Sequence, residues 1–298
     1  MSKFKSISLT LGLSTTLLLA ACGGEETSSN ETKSMSEQLD YTITGIEPGA
    51  GIMQLTELTL EEYENLDGWK VSESSTAGML TMLDKAYKNE EPIIVTGWNP
   101  HWKFASYDLK YLEDPKGTYG EIENINTITR KGLKEDMQIA YEILDRFYWD
   151  PEDMETVMFD AQAVSFEEAA AKWVEDNQDK VAQWTEGLDK VNGQSIELIS
   201  TPWETEDASA HVMKVVLEQH GFDVKITPVD PIIMFQAIAN GEGDASLAPW
   251  LPVTHGSFYE QYKDDLVDLG ENLVGAKVGL VVPTYMEVDS IEDLEPKK

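Results

Sequence analysis

The chain has 298 residues, with 55 Asp and Glu against 22 Lys and Arg, a formal net charge of −33, and a single Cys. Apolar residues at 41% and aromatics at 9% can build one large core or two ordinary ones, so the charge does not signal disorder. The acidity argues against nucleic acid as a partner and against a polybasic grip on anionic lipid; the lone Cys rules out a disulfide framework or a multi-Cys metal site.

The start of the chain reads as a targeting segment. Lys3 and Lys5 precede an apolar stretch from Ile7 that ends Leu19-Ala20-Ala21-Cys22. This predicts a secretory signal over 1–21, too short to span a membrane as an ordinary helix. With Cys at the boundary, the stretch resembles a bacterial lipobox, in which that Cys carries lipid; an ordinary signal with a chance Cys is the alternative. Residues 22–40 open as Gly23-Gly24-Glu25-Glu26-Thr27-Ser28-Ser29, a polar tether, and the fold is expected from about Tyr41.

After the tether, strand and helix patterns alternate, which predicts α/β layers with largely parallel sheets. Short apolar runs predict strands over Tyr41–Ile46, Pro92–Thr96, Ile196–Ser200, Val224–Thr227 and Val278–Val282. Thr76–Asn89 places Met79, Leu80, Met82, Leu83 and Ala86 at helical spacing. Ser165-Phe166-Glu167-Glu168 is a capping box opening a helix. Glu204–Gln219 is a helix stopped by Gly221, and Asp230-Pro231 is an N-cap followed by proline at the first helical position. The segment from about Lys134 to Gly187 reads as helices only.

A weak internal echo carries more weight than any single motif. Each half has a strand leading to a Trp followed by Pro and His: Trp98-Asn99-Pro100-His101, and Trp250-Leu251-Pro252-Val253-Thr254-His255. A third Trp, Trp203, follows the strand Ile196–Ser200. Ligands of α/β folds gather at the carboxyl ends of strands. Three Trp at such places, each near a Pro, point to a cage for a quaternary ammonium, whose diffuse charge is drawn to ring faces and needs no hydrogen bond. Trp173 and Trp184 lie in helical patterns and read as core. Pro48-Gly49-Ala50-Gly51-Ile52 brings backbone N–H groups to a helix N-terminus, an anion site or simply a turn. It lacks the third Gly of a dinucleotide fingerprint and the Lys of a phosphate loop. His255 adds a donor for a carboxylate; His101 ranks below it, and His211 and His220 read as surface or packing residues. The four His fit no zinc pattern, and no metal, cofactor or catalytic residue is expected.

The combination resembles the glycine betaine/proline betaine-binding lipoproteins of Gram-positive osmoprotectant ABC importers. The resemblance is carried by Gly45–Met53, Pro92–Trp102, Leu109–Tyr119, Thr127–Leu133 and Asp244–His255. It implies the two-lobed type II periplasmic-binding-protein fold in circularly permuted order, with the ligand in the cleft between the lobes. One lobe would take 41–123 plus 277–298, the other 124–276. It also implies that Trp98, Trp203 and Trp250 form the cage, and that Gly51 and Ile52 N–H groups with His255 hold the carboxylate. The expected partners are a betaine, the permease and ATPase subunits of an importer, and the outer face of the cytoplasmic membrane through Cys22, with the protein a monomer. Choline, carnitine or ectoine stay open as ligands. A secreted lipoprotein enzyme is the rival class; the chain has no G-x-S-x-G, and Thr254-His255 is no triad.

Overall fold

The computed structural model describes residues 33–298. The predicted signal, Cys22 and the first part of the tether lie outside the described residues. Order begins before Tyr41: Ser34 and Glu37 form a capping box around a one-turn helix α1 (Met35–Gln38), and Ser36 Oγ accepts the Glu295 N–H at 2.8 Å. The next elements are β1 (Thr42–Thr44), α2 (Gly51–Glu62), β2 (Lys70–Ser72), α3 (Thr76–Lys88), β3 (Val95–Asn99), α4 (Lys103–Ser106), β4 (Leu109–Tyr111) and β5 (Glu123–Arg130). Five helices follow: α5 (Leu133–Asp136), α6 (Gln138–Arg146), α7 (Pro151–Asp160), α8 (Phe166–Asp176) and α9 (Gln178–Thr185). The rest is β6 (Gln194–Ser200), α10 (Glu204–Gln219), β7 (Phe222–Pro228), α11 (Pro231–Asn240), β8 (Ala245–Ser246), β9 (Trp250–Leu251), α12 (Gly256–Tyr262) and β10 (Leu266–Pro283).

The expected helices stand where their caps put them. Ser165 and Glu168 close the predicted capping box of α8. Asp230 and Pro231 open α11, and Gly221 leaves α10 with φ of 89°, a conformation that a side chain resists. The all-helical middle is also as expected, and Trp173 and Trp184 are core residues. Their rings stack at 6.1 Å inside a cluster with Trp149 and Phe147. Such aromatic pairs contribute about 0.5–1.5 kcal/mol each beyond their buried area.

The sheets are mixed, which corrects the expectation of largely parallel layers. β1 pairs in parallel with β2 and β3, and β6 in parallel with β7 and β8. β10 instead runs antiparallel to β3, β4 and β5, and β5 antiparallel to β8 and β9. β10 is 18 residues long and changes partners along its length. Its first part, to Ala276, pairs with β5; from Lys277 it pairs with β3, and its last residues also meet β4. Register shifts interrupt the β10–β5 ladder, and Gly270 and Gly275 carry φ of 93° and 100° near them. Extra residues of this kind bend a strand, which lets one strand serve two arrays. The result is a two-lobed α/β architecture. Two predicted strands are also shifted: β3 begins at Val95 rather than Pro92, and Trp250 opens its own strand β9 instead of ending β8.

Candidate ligand-binding site

The start of α2, the end of β3, the junction of β6 with α10 and the loop from β9 to α12 converge on one small cavity. All six residues expected from the sequence line it: Gly51, Ile52, Trp98, Trp203, Trp250 and His255.

The first pole is backbone. Ala50 caps α2 without a side-chain bond, Ala50 N–H donates to Glu47 O at 3.0 Å, and Met53 N–H donates to Ala50 O at 3.1 Å. The N–H groups of Gly51 and Ile52 find no acceptor among the described residues, as the first donors of a helix do not. With α2 twelve residues long, its positive end faces the cavity. Gly51 is required by space: a Cβ there would lie 2.2 Å from Thr254 O. The helix start therefore touches the loop that carries His255.

His255 is set by its own loop. Trp250 N–H donates to His255 Nδ1 at 3.0 Å, and His255 N–H donates to Trp250 O at 2.9 Å. With Nδ1 accepting, the proton of the neutral ring sits on Nε2, so Nε2–H is the free donor. Burial pushes its pKa down to about 3, so the ring stays neutral under physiological conditions. Buried Glu123 fixes the same loop by accepting Val253 N–H at 3.0 Å, Thr254 N–H at 2.7 Å and the Thr254 hydroxyl. Burial raises the Glu123 pKa, and the Thr254 and Val253 bonds oppose that rise.

The second pole is aromatic. Trp98, Trp203 and Trp250 are all buried, and each is tied by a different neighbour. Fully buried Lys103 stands 4.1 Å from the centroid of the Trp98 ring and donates Nζ–H to Trp98 O at 3.0 Å. Burial drives the Lys103 pKa well below the usual lysine value, against the pull of Glu204. Trp203 Nε1–H donates to Glu47 Oε2 at 3.2 Å; Glu47 also accepts the Thr76 N–H and hydroxyl, both at 2.9 Å. Burial favours protonation of Glu47, but these donors together outweigh it and hold the carboxyl below its usual range. Trp250 Nε1–H donates to Glu206 Oε1 at 2.7 Å.

His101 copies the local geometry of His255 without its role. Its Nδ1 accepts the Lys103 N–H at 3.1 Å, which again leaves the proton on Nε2. That Nε2 lies 3.1 Å from Glu204 Oε2, off the line of a good hydrogen bond, and His101 is not among the residues lining the cavity. Asn99-Pro100 and Leu251-Pro252, the Pro bonds of the two echoed segments, are both cis.

Three acids were missed by sequence reasoning: Glu47, Glu123 and Glu206. In a chain with 55 acids, none stands out by type. Glu206 is the third residue of α10, in a first turn that also holds Glu204 and Asp207, where acids are favoured by the helix dipole and read as ordinary. Among the described residues, no group of three or more His, Cys, Asp or Glu is arranged to hold a metal, and no helix is long and apolar enough to cross a membrane.

The chain is similar in sequence to several known proteins. The sequence model of the substrate binding domain of ABC-type glycine betaine transport systems matches residues 26–176 and 194–298. The glycine betaine/carnitine transport binding protein GbuC of Listeria monocytogenes is 48% identical over 283 residues, 94% of each chain. Among solved structures, lactococcal OpuAC, closed and complexed with glycine betaine, is 52% identical over 50% of this chain and 59% of its own, with a TM-score of 0.49. The ProX protein of Borrelia burgdorferi is 33% identical over 51% and 58%, with a TM-score of 0.48. Both structural matches thus span less than two thirds of the solved chains. The chain belongs to the family of substrate-binding proteins of ABC-type glycine betaine transport systems.

Proposed function

We propose that the protein captures glycine betaine outside the cytoplasmic membrane and delivers it to the permease and ATPase of an ABC importer. The observation that carries this reading is the convergence of three Trp, two free helix N–H groups and a neutral His255 donor on one cavity. A trimethylammonium group cannot donate hydrogen bonds, so ring faces suit it. A carboxylate suits the α2 N-terminus and the Nε2–H of His255. The relative named for carnitine as well as glycine betaine supports a second zwitterion of the same chemistry, with a longer spacer between its charges.

Lobes of 41–123 plus 277–298 and of 124–276 fit the change of partners that β10 makes between Ala276 and Lys277. Gly51, Ile52 and Trp98 then come from one lobe, and Trp203, Trp250 and His255 from the other. A ligand gripped by both favours the closed form. Calorimetric titration of residues 23–298 with glycine betaine, dimethylglycine, glycine and choline tests the assignment. Affinity should fall with each methyl removed, because exposed N–H donors prefer water to ring faces. Choline should bind far more weakly than glycine betaine, since it leaves the carboxylate pole unused. Glycine binding as tightly as glycine betaine would refute the cage, and a radius of gyration unchanged by saturating ligand would refute closure.

Attachment to the membrane through lipid on Cys22 is the reading that Leu19-Ala20-Ala21-Cys22 supports. Cys22→Ser should abolish lipid incorporation and leave ligand affinity unchanged. Labelling of the variant with fatty acid at the wild-type level would place the anchor elsewhere.

A further inference from the structure

Among the described residues, Glu206 is the one acid lining the cavity, and no Lys or Arg lines it. The side chain is 3% exposed. Its Oε1 accepts the Trp250 Nε1–H at 2.7 Å, and its Oε2 pairs with the Thr205 hydroxyl. Both donors are neutral, and no basic group forms an ion pair with Glu206 among the described residues. A buried carboxylate without a counter-charge is costly, and it either takes up a proton or finds a cation. The cavity beside it is the place from which a cation can come.

We propose that Glu206 is the counter-ion of the site: the onium group of a bound betaine completes a charge pair that the protein itself leaves open, so that ligand binding and ionisation of Glu206 are coupled. The inference rests on the betaine reading of the cavity and adds a specificity residue to it. Ring faces already favour a cation through their quadrupole, and a carboxylate adds a full counter-charge to that preference. Glu206 therefore sharpens the preference for quaternary ammonium or sulfonium ligands over isosteres of the same shape that lack the positive charge.

The charge state of Glu206 fits this role. Burial pushes its pKa up to about 7, opposed by the Thr205 and Trp250 bonds, and the like charge of Asp207 on the same helix adds to the rise. The other titratable groups around it are engaged or neutral. On α10, Glu204 accepts from Trp102 and Gln162, Lys214 pairs with Glu218, and His211 is bonded to Asp207 O and stacked on Phe166 of α8. On α8, which packs on α10, Lys172 bridges Asp160 and Asp176. On α7, Asp153 holds Lys180, and burial raises the Glu155 pKa. Glu197 of β6 pairs with Lys225 of β7. Across the cavity Glu47 is bonded to Thr76 and Trp203, while burial leaves His255 neutral down to about 3 and His101 to about 4.

The sign follows. A cation in the cage favours ionised Glu206, so its pKa falls on binding. Binding below pH 7 then releases a proton, and affinity weakens as pH falls through 7. The test titrates wild type and Glu206→Gln with glycine betaine and with 3,3-dimethylbutanoate, the carboxylate in which a neutral tert-butyl group replaces the trimethylammonium, from pH 6 to 8.5 in two buffers of different ionisation heat. Wild-type Kd for glycine betaine should approach about a tenfold loss per pH unit below the midpoint, as the competent fraction falls. The difference between buffers should report a released proton. Glu206→Gln keeps an acceptor for Trp250; it should give a flat profile and a smaller preference for the cation over its isostere. A flat wild-type profile with no released proton, or an unchanged preference in Glu206→Gln, overturns the proposal and leaves the betaine reading standing. Absence of glycine betaine binding at every pH overturns both. If Glu206→Gln fails to fold, proton release by the wild type decides.

Discussion

Alanine at Trp98, Trp203 or Trp250 is expected to weaken glycine betaine binding roughly 30-fold per ring, since a desolvated cation–π contact is worth about 2 kcal/mol. The three losses should not be equal, because each indole is held by a different group. Trp250→Ala leaves the buried Glu206 Oε1 without its indole donor and should cost the most. Trp203→Ala removes only one of the donors to Glu47, which keeps both Thr76 bonds. Trp98→Ala uncovers the amine of Lys103, fully buried beneath that ring. Phenylalanine should recover more affinity at Trp98 than at Trp250, because it restores a ring face without the N–H that Glu206 uses. Trp173→Phe is the control. It sits in the helical cluster and should lower the melting temperature without changing affinity in the folded fraction. Calorimetric titration beside a thermal melt separates these outcomes; wild-type affinity in all three alanine variants would eliminate the cage.

His255→Ala is expected to weaken glycine betaine by roughly 10- to 100-fold, since a hydrogen bond to a charged group is worth about 1.5–3 kcal/mol. The ring also accepts the Trp250 N–H, so alanine disturbs one cage wall as well. His255→Asn refines the measurement. Its side-chain oxygen can still take the Trp250 N–H, while its shorter reach removes the Nε2–H donor. Glycine betaine should then lose affinity while residual choline binding stays nearly unchanged. Equal losses for both ligands would make His255 a support of the loop rather than a carboxylate donor. The His255 contribution should also be flat from pH 5 to 9. Its folded pKa of about 3 lies far below that window, so the donor proton is neither gained nor lost there. Any change of affinity near pH 7 that survives in His255→Asn therefore belongs to another group, and Glu206 is the one placed to cause it.

Local chemistry made much of this molecule legible. Ser165 with Glu168 and Asp230 with Pro231 announce helix starts because a cap is settled within one turn of chain, and the structure has both helices there. Gly221 ends α10 for an equally local reason, its positive φ. Trp98, Trp203 and Trp250 were visible because the two Pro-His echoes and the end of β6 mark them by sequence, and family resemblance linked them to Gly51, Ile52 and His255. The structure brings those six residues to one cavity. His101 shows how far the echo reaches: it keeps the same tautomer-setting bond, yet its free nitrogen faces Glu204.

What stayed hidden depends on contacts between distant parts of the chain. β5 was not read as a strand because Asn124, Asn126, Thr127 and Thr129 break its apolar run. It exists because β10, more than a hundred residues later, supplies partners such as Asp268 for Asn126. The bend in β10 is likewise set by a register between two strands, which no window of sequence contains. Glu47, Glu123 and Glu206 look like any of the other acids until folding buries them. Each then takes the charge state that burial and its donors set between them: at Glu47 the donors outweigh burial and the pKa falls, while at Glu123 and Glu206 burial outweighs the donors and it rises. Residue type and near-neighbour spacing determine caps, turns and which side chains could meet a betaine. Burial and pairing determine which acids hold those side chains in place, because desolvation is a property of the packed structure and not of the residue.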